Sequence, residues 1–177
     1  NIPLPQLSPA VVDLSQRPTM RINAELWKWL RNTITKHYCE GARNTFGLCA
    51  TADSGTSLFD LDGGNTCFDI TPSQLEHYPI IKLALVGETS SSPNVNLTLG
   101  WEDYLYTDQD GFLCLDILPF NDPGQTGVSL GARLMNSYFA EFDPDRSRVG
   151  WAPASFSCSG ALHVAEKKGG DHQVGSV

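Results

Sequence analysis

Apolar and polar positions alternate over short stretches of this chain and seldom recur along a long face. Ile80 to Val86, Val95 to Leu99, Tyr104 to Thr107, Phe112 to Leu118, Tyr138 to Phe142 and Arg148 to Ala152 are strand-sized runs rich in β-branched, leucine and aromatic residues. Between them stand Asp62-Gly63-Gly64-Asn65, Gly87-Glu88, Asp108-Gln109-Asp110-Gly111, Asn121-Asp122-Pro123-Gly124 and Asp143-Pro144-Asp145, which are turn chemistry. Only Ala132 to Ser137 reads as a short helix in this half. Many short strands with frequent turns predict an all-β domain, sandwich or barrel-like.

The segment Ala24 to Thr35 supports two patterns. Leu26, Trp27, Leu30 and Ile34 would form a helical stripe, whereas Trp27/Trp29 and Thr33/Thr35 recur at period two. Its aromatic and β-branched content favours a strand. Residues 1–20 are proline-rich without periodicity and read as an extended arm. Residues 159–177, with Glu166-Lys167-Lys168-Gly169-Gly170-Asp171-His172, read as a flexible polar tail. The 177 residues leave room for one domain, over 21–158.

A net charge of −8 argues against nucleic acid or an anionic membrane as partner. No apolar run approaches the roughly 18 to 20 residues that cross a bilayer. The start, Asn1-Ile2-Pro3-Leu4-Pro5, lacks signal-peptide character and reads as that of a processed chain. Five cysteines point to an oxidising compartment; none forms a CxxC pair and the four histidines are scattered, so no metal site is expected. Asn96-Leu97-Thr98 is an N-glycosylation sequon, consistent with the secretory pathway. Asp60, Asp62 and Asn65 do not have the spacing of a calcium loop and read as a solvated turn.

The informative segment is Ala52-Asp53-Ser54-Gly55-Thr56-Ser57-Leu58. A carboxylate is followed by a hydroxyl residue, a glycine that permits a tight turn, and two more hydroxyls. Backbone N–H groups and hydroxyls around such a turn fix the plane of a carboxylate, as acid–base chemistry requires. An ordinary β-turn has the same composition, and context decides between them.

Asp53 to Ser57 resembles the second active-site motif of the pepsin family of aspartic proteases, in the C-terminal lobe. The run Val128-Ser129-Leu130-Gly131, then Ala132 to Phe142-Asp143, then Arg148-Val149-Gly150-Trp151-Ala152-Pro153, is similar to the family's second hallmark. The resemblance covers roughly residues 24–158 and, in its Gly87-Glu88 insertion and Cys158, is nearest to the β-secretase and plant nucellin-like branches. It implies an all-β pepsin-type lobe of orthogonally packed strands in which Leu130 and Gly131 brace the loop bearing the aspartate. Residues 26–35 are similar to the strand before the catalytic turn. The family's pairing implies a Cys67–Cys114 disulfide, and Cys158 bonded to Cys39 or Cys49.

Activity implied by the resemblance is that of an aspartic endopeptidase with no cofactor. Two carboxylates about 3 Å apart share one proton, and the ionised member activates the water that attacks a peptide carbonyl. Asp53 would supply one carboxylate. Ser54 would hold the two loops together, Gly55 allow close backbone approach, Thr56 bond the aspartate and Ser57 support a substrate strand. The chain contains no second Asp-Ser/Thr-Gly loop and nothing like the family's flap, so a partner N-terminal lobe must complete the site for a peptide substrate. Only nine residues separate Ser57 from Cys67, where the family has a helical segment. Two other readings remain open: a homodimer of half-sites, and a non-catalytic binding or inhibitor protein on the same fold.

Overall fold

The structure is a computed structural model that describes residues 2–3, 10–15, 20–40, 44–50, 55–59, 66–85, 94–122, 124–146 and 148–154. Among these lie β1 (Ile2–Pro3), β2 (Ala10–Asp13), β3 (Met20–Ile22), α1 (Ala24–Ile34), β4 (Cys67–Phe68), α2 (Pro72–Leu75), β5 (Ile81–Leu85) and β6 (Val95–Leu99). The chain continues through α3 (Trp101–Tyr104), β7 (Leu105–Thr107), β8 (Leu113–Leu115), β9 (Ile117–Pro119), β10 (Val128–Gly131), β11 (Tyr138–Asp143) and β12 (Arg148–Pro153). Strands dominate, as the short alternating runs predict, and among the described residues α1 is the one helix of more than two turns. The strands form four small open sheets, ordered β1-β5-β6, β2-β10-β3-β9, β4-β8-β7 and β11-β12.

Alternation translates directly into burial. Ile81, Leu83 and Leu85 of β5 and Leu97 and Leu99 of β6 turn inward and are almost wholly buried, while Lys82, Asn96 and Thr98 face solvent. The run Phe112 to Leu118 is two strands, because it changes sheets at Asp116. There the Asp116 N–H donates to Tyr104 O (2.8 Å) and its carbonyl accepts from Met20 N (3.4 Å), so one residue bonds the end of α3, just before β7, and the start of β3. Its buried carboxylate lies 3.4 Å from Arg133 Nε. Arg133 also donates to Leu105 O at 3.0 Å, which ties the one-turn helix after β10 to the neighbouring sheet.

Ala24 to Ile34 is a helix, which corrects the expected strand. Asn23 caps it by accepting from Leu26 N at 2.8 Å, and Glu25 sits in its first turn. Leu26, Trp27, Leu30 and Ile34 are buried on one face, and Trp27 packs against Phe59 with ring centroids 5.6 Å apart. The period-two aromatics were misleading because Trp29 is left at the margin of the core, where it needs no partner strand. The 3.6-residue stripe buries more apolar surface than a strand of the same residues would, and that outweighs modest β-propensity. The helix continues as a π-turn over Thr35–Cys39.

Cys67 and Cys114 are opposite partners on β4 and β8 and form a disulfide, with Cα atoms 4.2 Å apart. That close approach suits a non-hydrogen-bonded antiparallel pair. The other disulfide joins Cys39 to Cys49. It corrects the expected bond from either of them to Cys158, which lies outside the described residues. The π-turn brings Cys39 back over the loop carrying Cys49, so a local bridge satisfies both.

Candidate functional site

Strand β10 is buried along its whole length and has both edges occupied. On one side β2 runs parallel, setting Leu130 opposite Val12 and Gly131 opposite Asp13. On the other β3 runs antiparallel, setting Leu130 opposite Met20. Strands β2 and β3 are successive in the chain, so β10 is inserted between two strands joined by residues 14–19. The Leu130-Gly131 pair therefore braces the strand that ends in Asp13. The loop of Asp53, which the pair was expected to brace, lies outside the described residues; hydrogen-bonding neighbours on both sides leave β10 no free edge for a further strand.

Asp13 ends β2 as the backbone turns. Its Oδ1 accepts from Ser15 N (3.1 Å) and Ser15 Oγ (2.6 Å), an Asx-type turn that orients the carboxylate. The carboxylate borders a cleft of about 290 Å³ that Arg21, Asn121, Gln125 and Ser129 also line. Arg21 is held across this cleft by donating to Pro119 O at 3.2 Å. Leu14, directly after the aspartate, is 49 % exposed. An apolar side chain thus stands where a hydroxyl would be needed to tie two such loops together. Ser15 stands where a glycine would allow close backbone approach.

Asp53 and Ser54 lie outside the described residues. Gly55 has φ +63°, a left-handed backbone that favours glycine, and a Cβ built on it would meet nothing within 4 Å among the described residues. Thr56 is exposed. The Ser57 hydroxyl is buried and accepts from Phe59 N at 3.3 Å. Leu58 N then donates to Gly47 O at 2.8 Å, and Leu58 and Phe59 enter the core beside Trp27. This segment is anchored to the Cys39–Cys49 loop. The same loop receives the Tyr78 hydroxyl, which donates to Phe46 O at 2.7 Å; burial pushes that phenol well above its ordinary range.

No metal site is built from the described residues. Ligand atoms of Cys67, Asp108 and Cys114 gather, but the two sulfurs are bonded to each other and cannot bind an ion as thiolates. Asn96 lies exposed on β6. Sequence reasoning missed Asp13, which fell in the stretch taken for an arm. The available signal was Ala10-Val11-Val12-Asp13, a β-branched run ending in an aspartate shortly before a helix.

A strand bearing an aspartate at its end, threaded beside a buried Leu-Gly strand in a set of small open sheets, defines a C-terminal lobe of the pepsin-like fold. The family model described as "Xylanase inhibitor C-terminal" matches residues 51–153, more than half of the chain. The chain belongs to that family, a branch of the pepsin-like aspartic protease fold. No curated protein matches it. Two disulfides and a pepsin-like domain suggest a secreted or extracellular protein.

Proposed function

We propose that this chain is a non-catalytic pepsin-fold lobe that works by binding, completed by an N-terminal lobe and directed at a glycan-degrading enzyme of the xylanase class. The observation that carries this reading is the strand end braced by Gly131. Asp13 occupies it, but Leu14 and Ser15 follow where paired catalytic loops need a hydroxyl residue and a glycine. Two carboxylates share a proton only when held about 3 Å apart, and Leu14 and Ser15 supply neither the hydroxyl nor the glycine that would help hold Asp13 against a second loop. The family, that of xylanase inhibitors, supplies the class of partner.

A second reading is an aspartic endopeptidase in which Asp53 supplies one of two carboxylates for peptide hydrolysis. It is favoured by the intact Asp53-Ser54-Gly55-Thr56-Ser57 run. Weighing against it are the burial of the Ser57 hydroxyl and the occupation of both edges of β10.

The test uses the protein with its N-terminal lobe present. Expected results are no cleavage of a peptide library, no retention on an immobilised statine-type transition-state mimic, and stoichiometric inhibition of an endo-xylanase. Asp13→Asn and Asp53→Asn should both leave that inhibition intact. Peptide turnover abolished by Asp53→Asn would establish the second reading; turnover abolished by Asp13→Asn would show that the braced carboxylate is catalytic after all.

A further inference from the structure

Strand β6 closes one side of the sheet β1-β5-β6, and among the described residues no strand lies beyond it. Its sequence, Val95-Asn96-Leu97-Thr98-Leu99, carries no charge. The Tyr138 hydroxyl donates to Thr98 O (2.9 Å) and accepts from Thr98 N (2.6 Å). Both backbone groups of Thr98 therefore point away from β5. In an antiparallel ladder this orientation recurs every second residue, so the N–H and C=O of Asn96 point the same way. Tyr138 caps the edge at Thr98; no described side chain caps it at Asn96. An uncharged edge of high β-propensity with open backbone groups is a template for pairing with another chain.

The side chains of Asn96 and Thr98 stand together on the solvent face, while Leu97 between them is 1 % exposed in the core. Asn96 makes no side-chain hydrogen bond to the described residues. It is also the asparagine of the only Asn-X-Ser/Thr triplet in the chain. We infer that Asn96 carries an N-linked glycan and that this glycan guards the open edge of β6 against association. The donor is a polyisoprenyl-diphosphate-linked oligosaccharide. A bond forms between the Asn96 amide nitrogen and sugar C1, the C1–O bond to the diphosphate breaks, the lipid diphosphate leaves, and the amide loses one proton. Modification precedes folding, and the exposed position lets the finished sheet accommodate the product. A bulky, hydrated sugar beside the two open backbone groups excludes a second strand sterically, as an edge lysine does by charge.

The test is secretion of the full chain from a eukaryotic host, followed by glycopeptide mapping before and after treatment with an amidase that converts glycosylated Asn to Asp. Asn96 should be occupied, and Asn96→Gln and Thr98→Val should each remove the mass shift. An unmodified Asn96 in the secreted protein would overturn the assignment. For the guarding role, sedimentation over a concentration series should show the enzymatically deglycosylated protein and Thr98→Val associating at concentrations at least several-fold lower than the glycosylated form. Asn96→Lys, unglycosylated, should restore the monomer. Equal association of glycosylated and deglycosylated forms would overturn that role.

Discussion

Leu130→Ala tests the placement on which the site rests. Leu130 is 1 % exposed in a strand with neighbours on both edges. The substitution removes three buried carbons, worth about 2.4 kcal/mol at about 0.8 kcal/mol per methylene. A strand held on both sides relaxes poorly, so a residual cavity adds to this, for a total of about 3 to 5 kcal/mol. At roughly tenfold per 1.4 kcal/mol, the unfolding constant rises by two to three and a half decades. In urea, with a slope of about 2 kcal/mol/M, the midpoint falls by about 1.5 to 2.5 M. Native-state hydrogen exchange locates the damage. Protection should fall first at Val12, Leu130 and Met20, the residues laddered together, while 55–59 keeps its protection. A loss below about 1 kcal/mol, or early exchange in 55–59 with β2 unaffected, would refute the threading of β10 between β2 and β3.

Asn23→Ala removes the acceptor for Leu26 N and should cost about 1 kcal/mol by denaturant titration, with Asn23→Ser costing only a few tenths. The two disulfides close loops with sequence separations of 10 and 47, for which chain entropy gives about 3 and about 4 kcal/mol. Thermal melts of the paired Cys→Ser variants should therefore rank Cys67/Cys114 as the more damaging, and a non-reducing peptide map should show those two linkages. Partial burial of Asp143 opposes its ionisation, but a hydrogen bond from Arg148 Nε at 3.1 Å, the Arg146 N–H and both guanidinium charges outweigh it and hold the carboxyl below its ordinary value of 3.8. A folded-state pKa below the unfolded one means a stabilising contribution that is complete above the unfolded value and lost as pH falls through the folded one. Asp143→Asn should thus lower stability at neutral pH while leaving it little changed below the folded-state pKa, which flattens the acid limb of the stability profile, and an NMR titration of Asp143 should place its midpoint below 3.8.

Local pattern was enough for much of this molecule. Strands β5, β6, β11 and β12 lie within a residue or two of the alternating runs, and the turn at Asp108 to Gly111 closes with Asp108 Oδ1 accepting from Asp110 N (3.0 Å) and Phe112 N (2.8 Å). Those features are legible because side-chain alternation and turn hydrogen bonds involve neighbours in the chain. Helix α1 was readable in principle from Leu26, Trp27, Leu30 and Ile34, but its two tryptophans at period two concealed it.

Where the aspartate-bearing strand lies could be decided only by tertiary structure. Asp53 stands in the more persuasive motif, yet Gly131 faces Asp13, across more than a hundred residues of chain. A pentapeptide specifies how its own backbone bends, as Gly55 and Ser57 do here. It does not specify which distant strand satisfies the N–H and C=O groups of β10. That choice belongs to the whole sheet, where burial of Val128, Leu130, Met20 and Ile22 and completion of every backbone hydrogen bond are settled together.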